Sequence, residues 1–183
     1  MSTLYTRKGD QGYTGVLGEG RLPKFDHRIE AIGQVDEATA ALGLARSMVQ
    51  LESSRQIILK LQRFLYRLMA EVAATADNAE RFRAVTPEDV TWLEAETEIL
   101  TNQVNLPKEF IVPGDTQAGA ALDLARTVIR RAERHVTELV HSGEVPNEEV
   151  IKFLNRLSSF IFVLELHENQ AAGKEKPTLA KDL

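Results

Sequence analysis

A cluster of basic side chains lies in residues 122–136, which read LDLARTVIRRAERHV. The segment contains alanine, leucine and arginine but no glycine or proline, a composition that predicts a helix. At about 3.6 residues per turn, one narrow arc of that helix carries Arg126, Arg130, Glu133 and Arg134. Like charges on one helix face repel by about 0.2–0.5 kcal/mol per i,i+4 pair. Either acids such as Glu133 and Glu138 offset this repulsion in solvent, or the face binds an anion.

The first 27 residues carry a second candidate for anion binding. Five of the chain's eleven glycines lie between positions 9 and 20, and donors suited to phosphate oxygens accompany them: Thr6, Arg7, Lys8, Thr14, Arg21 and Lys24. Glycine lets a backbone turn tightly and approach a ligand, and charged donors bind phosphate strongly. The segment has neither the Walker pattern nor the dinucleotide fingerprint. A flexible, solvated arm is the alternative.

Composition narrows the class of ligand. A chain of 183 residues, 43% of them hydrophobic, fits one domain with a substantial core. With 22 basic and 27 acidic residues the net charge is −5, which argues against nucleic acid and favours a small anion. The absence of cysteine excludes disulfides, thiolate metal sites and cysteine nucleophiles. The sequence shows neither a signal-peptide core nor a membrane-length apolar run, which predicts a cytoplasmic protein without membrane partners.

Apolar periodicity predicts the elements that position these groups. Helical stripes occupy about residues 28–50, 55–76, 86–104, 116–141 and a last segment that begins near 146 and ends before 174. Thr86 caps the third helix, and Pro87 follows at its first position. An extended segment at 105–115 contains Phe110. The predicted fold is all-α, a five-helix bundle over 1–173 with a glycine-rich N-terminal loop at 1–27; residues 174–183 are predicted to form a flexible tail.

Five short motifs occur along the chain, and they are TRKGDQGYTGVLGEGR at 6–21 (followed by Lys24), GQVDE at 33–37, FIVPG at 110–114, ARTVIRRAER at 125–134 and LNRLS at 154–158. In this order they resemble the PduO-type ATP:cob(I)alamin adenosyltransferases, and the similarity extends over residues 6–169. The resemblance implies a homotrimer of five-helix bundles that binds ATP and a corrinoid at each subunit interface. It implies transfer of the 5′-deoxyadenosyl group of ATP to the cobalt of cob(I)alamin, with release of triphosphate.

The resemblance also implies the roles of individual residues. Asp36 would pair with Arg126 across the interface, Phe110 would press on the lower axial face of the corrinoid, and Arg130 completes the predicted catalytic set. The nucleotide would be bound by Thr6, Arg7, Lys8, Gly9, Asp10, Gly12, Tyr13, Thr14 and Lys24, together with Arg130, Arg131, Glu133, Arg134 and Asn155 of the neighbouring subunit. Mg²⁺ would be held mainly by the ATP phosphates rather than by protein side chains. A flavin reductase and a cobalamin-dependent acceptor enzyme are the implied protein partners.

These roles agree with the chemistry of the reaction. Reduced cobalt is already a strong nucleophile, so the protein must position the 5′ carbon and neutralise the leaving triphosphate. Arg130 and Lys24 suit that anion. An apolar Phe110 would displace the lower axial ligand and make reduction of cobalt easier. Without the FIVPG match, Phe110 would be interpreted as an ordinary core aromatic.

Several positions depart from the residues that are usual in the family, and they are Asp115, Asp123, Ser159, Glu165 and Leu166. Asp123 precedes Arg126 by one helical turn and could draw its guanidinium away from Asp36. The departures fall on the corrinoid side, whereas the nucleotide motifs are almost intact. Two other functions therefore stay open: a catalytically silent, ATP-binding corrinoid carrier or sensor of the same fold, and a helical interaction bundle with a solvated arginine face.

Overall fold

The computed structural model describes residues 7–181, so Thr6 of the predicted nucleotide site lies outside the described residues. Five helices dominate it: α1 (His27–Met48), α2 (Glu52–Ala73), α3 (Pro87–Thr101), α4 (Gln117–His141) and α5 (Glu149–Ala171). A short antiparallel hairpin precedes them, formed by β1 (Tyr13–Gly15) and β2 (Arg21–Pro23). The predicted five-helix fold is confirmed.

The helices are joined by their apolar stripes. Helix α1 packs between α2 and α4, and α5 packs between α4 and α3. Val35, Ala38 and Leu42 of α1 are fully buried, as are Ala125 and Ile129 of α4. The predicted cap is also present, because the Thr86 hydroxyl accepts a hydrogen bond from the backbone N–H of Asp89 at the start of α3. The stripes read from the sequence therefore form the core.

Helix α2 begins three residues earlier than the sequence predicts. Its first residue is Glu52, preceded by Leu51, whose side chain makes no capping hydrogen bond. The cap comes from α5, where the fully buried Glu168 accepts hydrogen bonds from the backbone N–H groups of Gln50 at 2.8 Å and Leu51 at 3.3 Å. A carboxylate at a helix N-terminus accepts hydrogen bonds from the unpaired backbone N–H groups, and its negative charge interacts favourably with the positive end of the helix dipole. Local sequence could not show this contact.

Part of the segment that the sequence predicts to be a flexible tail makes hydrogen bonds to residues 110–115. Thr178 donates its backbone N–H and its hydroxyl to Asp115, at 2.9 and 2.6 Å. Beside it, the backbone N–H of Val112 donates to the Thr178 carbonyl and that of Ala180 to the Phe110 carbonyl, each at 2.8 Å. The polar composition of the tail concealed a strand-like segment that pairs with residues 110–112. Within the described part of the chain, no helix has the length and apolar character needed to cross a membrane.

Candidate functional site

The hairpin places the predicted phosphate donors close together. A Cβ built on Gly9 would lie 3.3 Å from Nζ of Lys24, so the lysine head group passes directly over the glycine turn. The guanidinium of Arg21 donates to the carbonyls of Lys8 and Tyr13 and so joins the two sides of the loop. Gly12 has a φ of +81°, a conformation that side chains other than glycine rarely adopt. The result is a tight turn with an exposed ammonium group above it.

Residues between the two hairpin strands are hydrogen-bonded to the segment that follows α2. The backbone N–H of Leu17 donates to the Ala73 carbonyl at 2.8 Å, and that of Thr75 donates to the Leu17 carbonyl at 3.2 Å. A Cβ at Gly18 would overlap the side chain of Thr75. The hairpin is therefore docked on the end of α2.

A buried arginine holds together the segments against which the hairpin packs. Arg28, 8% exposed, donates to the carbonyls of Val72 at 2.8 Å and Ala74 at 2.7 Å. Its other terminal nitrogen donates to the backbone carbonyl and the carboxylate of Glu144, at 3.1 and 3.3 Å. One guanidinium thus joins the start of α1, the end of α2 and the loop between α4 and α5.

The arginine face of α4 forms a second polar group. Asn155 of α5 donates through its side-chain nitrogen to Glu133 at 2.9 Å, and Nη1 of Arg130 lies 3.9 Å from the same carboxylate. The Arg130 side chain is half exposed, at 50%, so its guanidinium can meet a ligand from outside. Arg134 is exposed and donates to the Arg130 carbonyl at 3.1 Å. Four of the predicted nucleotide residues are therefore neighbours.

Two predicted site residues have a different environment. Arg131 is held within its own subunit, since its Nε donates to Gln34 at 2.5 Å and its Nη2 lies 2.5 Å from a carboxylate oxygen of Glu37. These contacts join α4 to α1, so Arg131 has a structural role in addition to any contact with nucleotide. Asp36 is exposed and makes no hydrogen bond or ion pair with residues 7–181.

The hairpin and the arginine face of α4 lie at different positions along the axis of α4. The hairpin ends where α1 begins, and there His27 lies 3.8 Å from Glu138 of α4. Arg130 is eight residues earlier on α4, about 12 Å along the helix axis at about 1.5 Å per residue. Residues near the hairpin and residues of the arginine face therefore form separate halves on one chain.

The extended segment before α4 opens onto a cleft. Phe110 is 87% exposed, which excludes the ordinary core aromatic considered above. The cleft has a volume of about 440 Å³, and its walls include Phe110, Pro113, Phe162, Asp123 and Arg126. The lining also includes Lys108 and Glu109, so the cleft combines apolar and aromatic side chains with charged groups, as ligand sites commonly do.

The charged pair forms within one subunit, as the sequence indicated. Nε of Arg126 donates to Asp123 at 2.7 Å, while its terminal Nη groups have no acceptor among residues 7–181. Glu165 of α5 lies nearby and is 1% exposed. Burial and then the negative charge of Asp123 raise the pKa of Glu165 to about 8, and the guanidinium of Arg126 opposes the rise. The Thr178 hydroxyl and backbone N–H lower the pKa of Asp115.

The sequence patterns did not predict several of these features. Arg28 lies in the apolar stripe region of α1, but nothing local shows that it donates to three carbonyls, two at the end of α2 and one in the loop between α4 and α5. Glu165 was seen only as a departure from the family pattern, and its burial depends on the packing of α4 against α5. Among residues 7–181, no three histidine or acidic side chains are grouped closely enough to hold a metal ion.

The chain is a five-helix bundle with two groups of cationic donors. One is the hairpin with its glycine turn, and the other is the arginine-rich face of α4. A helical protein of this class is suited to an anionic ligand. A sequence profile of the cobalamin adenosyltransferase family matches residues 4–168, and the chain belongs to that family.

Individual relatives support this assignment. The chain is 34% identical over 174 residues to the corrinoid adenosyltransferase of Bacillus subtilis (strain 168), covering 93% of this chain and 88% of that protein. It is also 34% identical over 171 residues to the corrinoid adenosyltransferase PduO of Citrobacter freundii, covering 92% of this chain but 50% of that longer protein.

A solved structure has the same fold. It is a phenylalanine-to-alanine variant of a PduO-type ATP:corrinoid adenosyltransferase from Lactobacillus reuteri, complexed with cobalamin and ATP. The two chains superpose with a TM-score of 0.90 at 32% sequence identity, over 98% of this chain and 100% of the other.

Proposed function

We propose that the chain transfers the 5′-deoxyadenosyl group of ATP to the cobalt of a corrinoid, at a site that two neighbouring subunits build together. The electron pair of reduced cobalt forms the bond to the 5′ carbon, while the carbon–oxygen bond breaks and its electron pair leaves with triphosphate. The leaving group gains negative charge as this happens. The protein lowers the barrier by holding the reactants in line and by placing cations at the triphosphate.

The hairpin is the proposed receptor for the triphosphate. The Lys24 ammonium stands over the Gly9 turn, so one cation and the backbone of the loop face the same point. Arg7 and Lys8 add charge at the exposed side of that loop. Among these residues donors predominate over carboxylates, which suits an anion rather than a bare metal ion. Mg²⁺ would be held by phosphate oxygens and water, where it would neutralise part of the triphosphate charge.

The arginine face is the proposed partner of this hairpin across a subunit boundary. The observation that carries the proposal is the separation of the two halves on one chain, with Arg130 about 12 Å along α4 from the hairpin end. In a ring of subunits, the hairpin of one chain can lie against the arginine face of the next, which is a heterologous interface. Arg130 and Arg134 would meet the phosphates, and Glu133 with Asn155 would hold Arg130 in place.

The surface of α1 and α4 supports a trimer built in this way. Gly33 on α1 has open space around it, so another backbone can approach closely there. Leu44 on α1 is 45% exposed and Leu124 on α4 is 50% exposed, although apolar side chains of this size usually favour burial. Asp36 lies on the same exposed side of α1 without a partner among residues 7–181, and Arg126 of a neighbour could supply one.

Phe110 is the proposed apolar group beneath the corrinoid. Its exposure of 87% leaves the ring free to pack against a ligand rather than against the core. The backbone hydrogen bonds from Val112 to Thr178 and from Ala180 to Phe110 hold the segment that carries it. A ring in that position would exclude water or a base from the lower axial coordination site. Loss of that axial donor makes reduction to the nucleophilic state of cobalt easier.

Mixing of two inactive variants tests the shared site. Lys24→Ala and Arg130→Ala, carrying different affinity tags, should each be nearly inactive alone. Every cyclic trimer that contains both variants has one interface of three that combines an intact Lys24 with an intact Arg130, so purified mixed trimers should recover about a third of wild-type activity. The tags allow mixed trimers to be purified before adenosylcobalamin formation is measured.

The matched control is the double variant Lys24→Ala/Arg130→Ala co-expressed with either single variant. Every interface in those trimers lacks at least one of the two side chains, so activity should stay at the level of the single variants. Absence of any recovery from the two single variants, in trimers shown to be mixed, would mean that both residues serve one chain and that the proposed interface site is wrong.

A further inference from the structure

Glu165 is a carboxyl group enclosed where α5 packs against α4. Its residue is 1% exposed, and neither side-chain oxygen has a hydrogen-bond partner among residues 7–181. A buried carboxylate without a donor is strongly unfavourable, whereas a neutral carboxyl group can be buried at a smaller cost. The geometry therefore favours a protonated Glu165 at neutral pH.

The charges around Glu165 come from two elements. Helix α4 contributes Asp123 and Arg126, and the segment before α4 contributes Asp115. On α5 itself, Glu168 is bound to the start of α2. On α3, Glu96 lines a cavity with His167 of α5 and accepts a hydrogen bond from Trp92. His167 is two positions beyond Glu165, about 200° round the helix, so this pair faces the other way.

Arg126 connects this buried group to the cleft. Its Nε is bound to Asp123, and its guanidinium lines the cleft together with Phe110. The terminal Nη groups have no acceptor among residues 7–181, so they remain available to a carboxylate of another subunit. Among residues 7–181, Asp123 is the only carboxylate that is hydrogen-bonded to Arg126.

We propose that Glu165 is a positioning residue for the transfer reaction, which keeps Arg126 at the cleft only while its own carboxyl group is neutral. The inference rests on the function proposed above. Once Glu165 ionises, a second buried carboxylate attracts the terminal nitrogens of Arg126. The guanidinium is then drawn into the contact between α4 and α5 and away from Asp36 of the neighbouring subunit.

The direction of the pH effect follows from the raised pKa of Glu165. The folded chain keeps the proton that the unfolded chain loses near the ordinary carboxyl value, so this group's contribution to stability is full below that value. The contribution is lost as the pH rises to about 8. Adenosyl transfer should be insensitive to this group below about pH 8 and should fall above it.

The test compares kcat/KM for adenosylcobalamin formation from neutral pH to about pH 10 in the wild type and three variants. For the wild type we expect an alkaline decline that approaches tenfold per pH unit above about pH 8. Glu165→Gln carries a neutral group of the same shape, so the decline should be absent. Asp123→Asn removes the like charge that raises the pKa, so the decline should move to lower pH. Glu98→Gln, an exposed change on α3, should keep the wild-type profile.

Infrared spectroscopy of the ligand-free protein gives a readout that does not depend on activity. The wild type should show a protonated carboxyl C=O band at neutral pH that disappears above about pH 8 and is missing in Glu165→Gln. Absence of that band in an active wild type, or an unchanged alkaline decline in Glu165→Gln, overturns the positioning role and leaves the proposed function intact. Absence of transfer by the wild type at every pH overturns both proposals.

Discussion

Replacing Phe110 by alanine separates the chemistry at cobalt from the binding of ATP. The side chain is 87% exposed, so its removal should change the free energy of unfolding by no more than about 0.5 kcal/mol. If the ring becomes enclosed beneath a corrinoid, it buries roughly 150 Å² of apolar surface, worth at most about 4 kcal/mol at about 25 cal/mol per Å². About a third of that energy, applied to the reduction step alone, corresponds to a tenfold change in the equilibrium constant for reduction of cobalt.

Two starting states of the corrinoid allow this effect to be measured. From cob(II)alamin with a reductant, Phe110→Ala should lower kcat/KM at least about tenfold, because the alanine no longer excludes the axial ligand. From cob(I)alamin that is already reduced, the loss should be below about threefold, because only positioning is affected. ATP affinity, measured by calorimetry, should be unchanged.

The matched control is Tyr66→Ala, since Tyr66 is an aromatic residue on α2 that is 71% exposed and lies outside both proposed ligand sites. This variant should behave as the wild type from both cobalt states. An equal loss from cob(I)alamin and cob(II)alamin in Phe110→Ala would refute the axial role, because the ring would then serve only to position the corrinoid.

Three further outcomes are expected. Lys24→Ala and Arg130→Ala should each raise the Kd for ATP about tenfold or more, as loss of a charge-assisted hydrogen bond of about 1.5–3 kcal/mol would do; wild-type affinity in calorimetry would show that the nucleotide site is misplaced. Arg28→Met should lower the free energy of unfolding by about 3–5 kcal/mol in urea titrations, because the carbonyls of Val72 and Ala74 lose their buried donor; a loss below about 1 kcal/mol would show that water replaces it. Sedimentation at micromolar concentration should give about three times 20.4 kDa, and a fully active monomer would contradict the interface site.

The sequence was sufficient for the features that depend on local pattern. The stripe of α1 that includes Val35, Ala38 and Leu42 repeats with the helical period, and all three residues are buried. The capping threonine at position 86 and the proline after it indicated the start of α3 without any tertiary information. The arc of Arg130, Glu133 and Arg134 also follows from helix geometry alone.

The remaining features depend on contacts between distant parts of the chain. Thr178 reaches Asp115 across 63 positions, and that contact turns a polar tail into a paired segment. Glu168 caps α2 across more than a hundred positions. Arg131 is predicted to bind nucleotide from the family resemblance, and nothing in the sequence indicated its contacts with Gln34 and Glu37 on another helix. Hydrophobic periodicity describes local spacing only, so it cannot predict any of these long-range contacts.

The most direct test of adenosyl transfer by this chain is a single reaction with the purified wild-type protein, Mg-ATP and cob(I)alamin under anaerobic conditions. We expect adenosylcobalamin, followed by its absorption spectrum, and an equal molar amount of triphosphate, resolved by ion-exchange chromatography. Binding of ATP and corrinoid without a new cobalt–carbon bond would contradict this expectation and would support a silent carrier or sensor.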